Sequence, residues 1–271
     1  MPLNSQGVLR MPELPEVETL RRQLVRKIKG KRILALTVYD VKLGPVPNLE
    51  GQRVNDVRRQ GKFLEMTLND GSALRIHLRM TGRLFWRRAV EGTEMPAHTR
   101  FRLVFEGHEI LGVDPRRFAT LTLEHPTGSC TSQPDLLKPP DPSTFLRAAR
   151  RRRLAVKAFL LDQSLFPGMG NIYACEILHA AAVDPRRPAS TVAQGEWEKI
   201  GREAKRILNL AIRCRGTSVS DWRDLDGRTG DFQHRLRVYG RQGVPCPRCG
   251  SGIERIVLGG RGTWFCPGCQ R

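Results

Sequence analysis

The chain has 271 residues and a net charge of +19, because 46 Lys and Arg outnumber 27 Asp and Glu. This length can bury substantial cores and is typical of two domains. The charge predicts a polyanionic partner, such as DNA, RNA or an acidic membrane surface. No apolar run approaches the roughly 20 residues of a membrane span, and residues 1–10 lack the apolar core of a signal peptide. The composition therefore gives no indication of a membrane-spanning or secreted protein.

The first patterned stretch is Met-Pro-Glu-Leu-Pro-Glu-Val-Glu-Thr at residues 11–19. Its two prolines predict that no helix covers residues 12–15, because proline lacks a backbone N–H and biases the preceding residue toward extended geometry. From Glu16 onward, apolar residues recur on one face of a predicted helix, namely Val17, Leu20, Leu24 and Ile28. Gly30 is expected to end that helix.

After this helix the pattern changes to short β-rich runs. They cover residues 33–39, 63–68, 73–78, 84–86, 100–105, 109–113 and 120–123. The triplet Asn-Asp-Gly at 69–71 separates two of these runs and predicts a hairpin. This many short strands after one helix indicates a β-sandwich.

The second half of the chain is predominantly helical. A Pro- and Ser-rich stretch at 126–142 is interpreted as a linker, and helices are predicted at 143–153 and 154–162. Asn171 is expected to cap a helix that ends near residue 182. A longer helix follows and ends near Cys214, and its apolar face comprises Trp197, Ile200, Ala204, Ile207, Leu208 and Ala211. Residues 217–233 are polar and contain glycine, which predicts a loop with possible mobility.

Four of the seven cysteines form two close pairs near the end of the chain. The pairs are Cys246-x2-Cys249 and Cys266-x2-Cys269, and 16 residues separate them. This spacing gives four thiolates the tetrahedral arrangement that Zn²⁺ prefers and fits a reducing cytoplasm. Disulfides or spare core thiols are the alternative. A ribbon this short has almost no apolar core, so a bound metal would supply its folding free energy.

The nine residues at 11–19 resemble the start of the formamidopyrimidine-DNA glycosylase family, the bacterial 8-oxoguanine glycosylases and AP lyases. Further motifs resemble the same family in matching order, namely Gln-Gly-Lys-Phe at 60–63, His-Leu-Arg-Met-Thr-Gly at 77–82, Asp-Pro-Arg-Arg-Phe at 114–118 and Gly-Met-Gly-Asn-Ile-Tyr-Ala at 168–174. The resemblance covers nearly the whole chain from Met11 to Gln270. It departs from the family at Arg79, where glycine is common, in a trimmed segment after the first strand, and in the leader.

The resemblance implies an α+β fold: an N-terminal β-sandwich with a leading helix, then a helix–two-turn–helix domain that ends in a four-cysteine zinc finger. The expected segments are a leader at 1–11, a catalytic β-sandwich domain at 12–125, a linker at 126–142, a helix–two-turn–helix domain at 143–233 and the zinc finger at 234–271. Duplex DNA is expected in a basic cleft between the domains, with the 217–233 loop covering the damaged purine.

The resemblance also implies a base-excision-repair enzyme that flips and excises 8-oxoguanine and formamidopyrimidines and nicks the abasic site by β,δ-elimination. In the family, methionine is removed and proline becomes the N-terminus, so Pro12 is the expected nucleophile. An N-terminal proline is a secondary amine that titrates near pH 8, about two units below lysine, and it forms an iminium with C1′ of the sugar. Glu13 is the expected general acid, provided that burial raises its pKa.

The resemblance implies roles for further single residues of this chain. Lys62 would contact a phosphate and donate a proton in β-elimination, and Arg261 would aid δ-elimination. Three residues would fill the hole that the flipped base leaves, with the arginine facing a cytosine: Met80, Arg116 and Phe118. The remaining DNA contacts would be His98, Arg152 and Asn171. Without the resemblance, Met80 and Phe118 are equally well interpreted as core residues, Lys62 as a guard of a strand edge and the arginines near 147–153 as a solvated basic face.

The leader, residues 1–10, precedes Met11 and conflicts with this chemistry, because an acylated Pro12 has no free amine. We therefore expect the functional protein to begin at Pro12. One alternative is the sister endonuclease VIII type, which removes oxidised pyrimidines. Another is a non-catalytic protein that binds damaged DNA. The family further implies one structural Zn²⁺, a monomer, and a bacterial cytoplasmic protein that associates with the nucleoid through DNA.

Overall fold

The structure is a computed structural model that describes residues 11–90, 92–125, 135–138, 142–219 and 221–271. Within these residues the chain forms two compact units. The sandwich unit contains residues 11–125 and Cys214–Asp231, and the helical unit contains the described residues of 135–213 and Phe232–Arg271. The predicted leader 1–10 and most of the predicted linker 126–142 lie outside the described residues.

The sandwich unit begins with helix α1, Leu14–Ile28. Its described strands form two four-stranded sheets with orders β1-β6-β7-β5 and β2-β3-β4-β8, and all neighbours are antiparallel. The strands are β1 (Ala35–Val38), β2 (Val54–Gln60), β3 (Phe63–Leu68), β4 (Ala73–His77), β5 (Arg83–Arg88), β6 (Thr99–Phe105), β7 (His108–Val113) and β8 (Thr120–Glu124). The predicted hairpin at 69–71 is confirmed, since it joins β3 to β4 with Phe63 opposite His77.

One apolar core holds α1 and both sheets together. In β3, Leu64, Met66 and Leu68 are buried and alternate with partly exposed residues, as a two-residue period requires. From α1, Leu20, Leu24 and Ile28 enter the same core and are each 0% exposed. Burial of such a side chain stabilises the fold by about 1.5–3 kcal/mol. The predicted β-sandwich with a leading helix is thus confirmed.

Helix α1 begins earlier than the sequence predicted. Leu14 is its first residue and Pro15 its second, whereas the prolines were expected to exclude a helix before Glu16. Pro15 is tolerated because N–H groups in the first helical turn have no partner within the helix. The expected end is confirmed, because the helix stops at Ile28 and Gly30 adopts a φ of +80°.

The segment Cys214–Asp231 packs in the sandwich unit, although it lies within the segment 143–233 that was expected to form the helix–two-turn–helix domain. It belongs to the sandwich unit, and its Trp222 and Leu225 are buried in the core formed by α1 and the sheets. Polar contacts tie it to α1 as well, since Gln23 accepts the Leu225 N–H at 3.0 Å and Lys27 pairs with Asp226 at 2.8 Å.

The helical unit contains four described α-helices and one β-hairpin. They are α2 (Pro142–Ala149), α3 (Val156–Leu160), α4 (Asn171–Ala181), α5 (Gln194–Arg213), β9 (Glu254–Leu258) and β10 (Arg261–Phe265). Its core is aromatic: Phe166 stacks on Phe145 at 4.7 Å between ring centroids, and Phe159 meets Trp197 edge-on at 5.5 Å. Helices α2 and α3 are shorter than predicted, because exposed residues 150–154 separate them. None of the described helices is both long enough and apolar enough to cross a membrane.

Candidate functional site

The residues expected to carry the chemistry lie at the start of α1. Pro12 and Glu13 are buried, and Glu13 is only 5% exposed. Glu13 is the residue that precedes the first helical turn, and its N–H donates to Glu16 Oε2 at 2.9 Å. The Glu16 carboxylate thus supplies a partner for a main-chain N–H at the start of the helix.

Glu16 also holds the 214–231 segment. Its other oxygen, Oε1, accepts the N–H of Thr217 at 2.7 Å. Only glycine fits at residue 216, because a Cβ there would lie 2.6 Å from Glu16 Oε1 and the φ of Gly216 is +84°. One buried carboxylate therefore joins the start of the helix to a segment about two hundred residues away in the chain.

A third carboxylate, Glu18, faces cations. Burial would raise the pKa of Glu18, but hydrogen bonds from Arg21 and Arg22 outweigh burial and lower it. Glu18 consequently stays ionised at neutral pH. Its partner Arg59, on β2, donates to it at 3.2 Å and connects α1 to the edge of the second sheet.

Lys62 lies in the turn between β2 and β3 and is half-buried. The next residue, Phe63, packs edge-on against His77 at 4.5 Å between ring centroids. The pKa of His77 is lowered to about 4, first by burial and then by the nearby cations Arg79 and Lys62. His77 is therefore neutral at pH 7, and its Nδ1 accepts the Arg79 N–H at 2.9 Å.

Two loops carry the residues expected to enter the DNA stack. The first follows β4 and contains Met80, which is half-buried. The second follows β7 and contains Arg116 and Phe118, with the guanidinium carbon 4.5 Å from the centre of the ring. Phe118 is 45% exposed, which excludes the interpretation of this residue as part of the core.

Asp114 brings these loops together. It is 1% exposed, and its carboxylate accepts the Thr81 hydroxyl from the first loop and the N–H groups of Phe118 and Ala119 from the second, each of those two at 2.7 Å. His98, which is exposed, adopts a φ of +64°, and its carbonyl accepts the Asp114 N–H at 3.0 Å. Four predicted DNA-contacting residues thus lie on segments that are hydrogen-bonded to Asp114: Met80, His98, Arg116 and Phe118. Asp114 is the first residue of the motif at 114–118, but no role was predicted for it from the sequence.

In the helical unit, Asn171 and Arg261 are brought together. Asn171 Nδ2 donates to the Gly262 carbonyl at 2.9 Å, and Lys157, which is 0% exposed, donates to the same carbonyl at 3.2 Å and to Thr263 Oγ1 at 2.7 Å. These contacts hold the start of β10, where Arg261 is exposed. Lys157 was not predicted to be a functional residue. The one feature of the sequence that could have identified it is a single cation within the apolar run Val-Lys-Ala-Phe-Leu at 156–160.

The position of Asn171 differs from the prediction. It is the first residue of α4, and Gly170 precedes the helix in the capping position. Its Oδ1 is buried and has no hydrogen-bond partner among the described residues. Arg152 is exposed in the segment after α2.

The four predicted zinc ligands form one cluster. The sulfur atoms of Cys246, Cys249, Cys266 and Cys269 all lie within 4.8 Å of one another. Two distances between sulfurs of different pairs are 3.4 Å for Cys249–Cys266 and 3.8 Å for Cys246–Cys269. A tetrahedron with Zn–S distances of about 2.3 Å has edges of about 3.8 Å. The cluster therefore fits Zn²⁺, and the disulfide alternative fails here because these cysteines are free.

Helix α4 supports the cysteine cluster through two residues that the sequence did not reveal. His179 is 0% exposed, and its Nε2 lies 3.4 Å from Cys246 Sγ. One turn earlier, the carboxylate of Glu176 accepts the N–H groups of three consecutive residues that lead into the finger: Arg237, Val238 and Tyr239. Of the remaining cysteines, Cys175 is buried and Cys214 half-buried, and Cys130 lies outside the described residues.

The depressed pKa of His77 predicts a specific pH dependence of stability. A histidine with a folded pKa of about 4 and an ordinary value of 6.5 stabilises the fold above pH 6.5, and this contribution is lost as the pH falls toward 4. At 1.36 kcal/mol per pKa unit, the full loss over this shift is roughly 3.4 kcal/mol. His77→Asn preserves an acceptor for the Arg79 N–H, and urea unfolding between pH 7 and pH 4 should show a flatter pH dependence than for wild type. Parallel curves would contradict this assignment.

Three family models match the chain. The formamidopyrimidine-DNA glycosylase N-terminal domain matches residues 11–121, the formamidopyrimidine-DNA glycosylase H2TH domain matches 133–222, and the zinc finger found in FPG and IleRS matches 243–271. The order of the three matches is the order of the β-sandwich, the helices and the cysteine cluster along the chain.

Curated relatives agree with these matches over their whole lengths. Formamidopyrimidine-DNA glycosylases from Exiguobacterium sp. and Thermus thermophilus are each 40% identical to this chain, cover 96% of it, and are themselves covered to 100% and 98%. A mutant Lactococcus lactis FPG in complex with Fapy-dG-containing DNA superposes with a TM-score of 0.87 at 30% identity, covering 96% of this chain and 100% of its own. The Lactococcus lactis Fpg complex with abasic-site DNA gives 0.83 at 29% identity, with 96% and 99% covered. By sequence and by fold, the chain belongs to the formamidopyrimidine-DNA glycosylase family.

Proposed function

We propose that this protein is a bifunctional DNA glycosylase and AP lyase that excises oxidised purines, 8-oxoguanine and formamidopyrimidines, from duplex DNA. The observation that carries the proposal is the Pro12–Glu13 pair, buried at the start of α1 in a member of this family. Relatives from Lactococcus lactis have been solved with DNA that contains Fapy-dG or an abasic site. Those complexes support damaged DNA as the ligand of this chain.

The reaction begins at the nitrogen of Pro12 in a protein whose chain starts at that residue. A free α-amino group titrates near pH 8, so a useful fraction is unprotonated at neutral pH. Its lone pair attacks C1′, the bond from C1′ to the base breaks, and the base leaves with the bonding electrons and takes up the proton that the Pro12 nitrogen gives up. Glu13 in its acid form protonates the ring oxygen, the sugar opens, and an iminium joins Pro12 to C1′.

The iminium then permits strand cleavage. As an electron sink it acidifies the C2′ proton, and loss of that proton expels the 3′ phosphate by β-elimination. A second elimination expels the 5′ phosphate, and hydrolysis of the iminium releases the protein. Lys62 is proposed to contact a phosphate and donate a proton in the first elimination, and Arg261 to assist the second.

The remaining predicted residues are proposed to hold the DNA. His98, Arg152 and Asn171 contact the DNA, and the exposure of the His98 and Arg152 side chains supports this role. Met80, Arg116 and Phe118 fill the space left by the flipped nucleotide, with Arg116 facing the unpaired cytosine. The exposed aromatic ring of Phe118 supports this role, because an apolar side chain held at the surface can insert between base steps.

A second lesion class is favoured by a further complex of the Lactococcus lactis relative. Wild-type Lactococcus lactis FPG has been solved with DNA that contains an oxidised pyrimidine. We therefore include oxidised pyrimidines as secondary substrates of the same site. The protein is proposed to act as a monomer with one structural Zn²⁺ on its four clustered cysteines.

If the Pro12 nitrogen is the nucleophile, DNA nicking should require that Pro12 be the first residue of the chain. A protein that begins at Pro12 should nick a duplex with 8-oxoguanine opposite cytosine and leave phosphates on both ends of the gap. The matched control carries one alanine in front of Pro12, which keeps every side chain but acylates the nitrogen, and it should give no nicking above background. Gel electrophoresis of end-labelled DNA measures both. Equal nicking by the two proteins would refute the proposed nucleophile, and lesion binding without nicking by both would identify a non-catalytic damage-binding protein.

The proposed zinc role predicts one Zn²⁺ per chain, released by a thiol-modifying reagent and measured with a colorimetric chelator. Cys249→Ser should lose the metal and bind lesion DNA more weakly, because the finger that carries Arg261 depends on the metal for its folding free energy. Cys214→Ser is the matched control, since Cys214 is half-buried and outside the cluster, and it should retain both metal and binding. Zinc-free Cys249→Ser protein with wild-type DNA affinity would contradict the structural role.

A further inference from the structure

Asp114 is positioned to control both loops that are expected to enter the DNA. It follows β7 and is 1% exposed. Its Oδ1 accepts the Arg116 N–H at 3.2 Å and the Thr81 hydroxyl, and its Oδ2 accepts the N–H groups of Phe118 and Ala119. Three of these bonds shape the 114–119 loop, and the fourth reaches the loop at 78–82.

A second buried carboxylate supports the base of the 114–119 loop. Asp40 binds Arg100 at 2.6 Å and also pairs with Arg117, whose φ is +58°. Arg100 additionally donates to the Ala119 carbonyl at 2.6 Å. The side chain of Arg117 is thereby engaged with Asp40, while its neighbours Arg116 and Phe118 remain exposed and stacked on each other.

The 78–82 loop is constrained in a similar way. Arg79 adopts a φ of +53° and donates its N–H to His77 Nδ1. The Gly82 N–H donates to the Leu78 carbonyl at 3.0 Å, which closes the loop. A Cβ at Gly82 would lie 3.0 Å from the Ala119 Cβ, so the two loops are in direct contact at that point.

The carboxylate of Asp114 is charged at neutral pH. Burial would raise its pKa, but the N–H groups and the Thr81 hydroxyl outweigh burial and lower the pKa. An ionised carboxylate only accepts hydrogen bonds, so each of its donors has a defined direction. Hydrogen bonds to an ionised acceptor are shorter and stronger than hydrogen bonds between neutral groups.

We propose that Asp114, through Thr81, is a positioning residue that locks the 78–82 and 114–119 loops into one rigid wedge, so that Met80, Arg116 and Phe118 enter the duplex together. The inference rests on the proposed function of these three side chains. Unstacking a base step costs a few kcal/mol. Loops that are ordered before binding lose less conformational entropy when they insert, so more of the binding free energy remains to open the stack.

Thr81→Val tests the lock because it removes only the hydroxyl and conserves the volume of the side chain. On duplex DNA with 8-oxoguanine opposite cytosine, the single-turnover rate of base release should fall about tenfold, which corresponds to about 1.4 kcal/mol. Cleavage of an abasic site in single-stranded DNA requires no wedge, and its rate should stay within about twofold of wild type. Thr81→Ser retains the hydroxyl and should restore the duplex rate.

Thr67→Val is the matched control, since the Thr67 hydroxyl on β3 bonds the Asp56 carbonyl at 3.2 Å and is not part of either loop. It should leave both rates unchanged. Asp114→Asn removes the charge that all four bonds share, so its effect should be at least as large as that of Thr81→Val, and adding Thr81→Val to it should lower the duplex rate by less than Thr81→Val does alone. A Thr81→Val protein with the wild-type duplex rate, or an equal loss on both substrates, would overturn the proposed lock. A wild-type protein that releases no base would instead refute the proposed function.

Discussion

The arrangement of the sandwich unit depends on the carboxylate of Glu16, which is 3% exposed. A buried charge is tolerated only when hydrogen bonds replace its water. Glu16 meets this requirement with two main-chain donors, the N–H of Glu13 and the N–H of Thr217. Because those donors belong to distant parts of the chain, satisfying one side chain fixes the start of α1 and the 214–231 segment together. The same constraint requires glycine at Gly216, where any side chain would collide with the carboxylate.

Three other buried carboxylates hold loops through main-chain hydrogen bonds in the same way. Asp114, Glu176 and Asp224 are each 3% exposed or less, and each accepts main-chain N–H groups from a loop. Burial raises the pKa of Glu176, whereas the bonds around Asp114 lower its pKa. Acidic residues thus serve as internal supports for loops, while many arginines remain at the surface. Buried carboxylates such as these are counted in the net charge of +19 but are not exposed to a polyanionic ligand.

Local patterns were enough to predict much of the fold. The β-rich run at 63–68, the apolar face of α1 and the spacing of the cysteines each correspond to a short-range rule, and each was confirmed. Contacts between distant residues were not predictable, because nothing in a local window of sequence shows which loop will supply a donor. Two examples of such long-range contacts are the hydrogen bond from the Thr217 N–H to Glu16 and the hydrogen bond from Lys157 to the Gly262 carbonyl. The early start of α1 was missed for another reason: the rule against proline does not apply in the first turn.

The central claim is that the nitrogen of Pro12 is the nucleophile. Borohydride reduction in the presence of abasic-site DNA, followed by proteolysis and mass spectrometry of the cross-linked peptide, tests it directly. An iminium at a secondary amine is reduced to a stable tertiary amine, so the account predicts one cross-linked peptide whose first residue is Pro12 and whose nitrogen bears the sugar remnant. A cross-link at Lys62 or another lysine, with the Pro12 peptide unmodified, would contradict the claim.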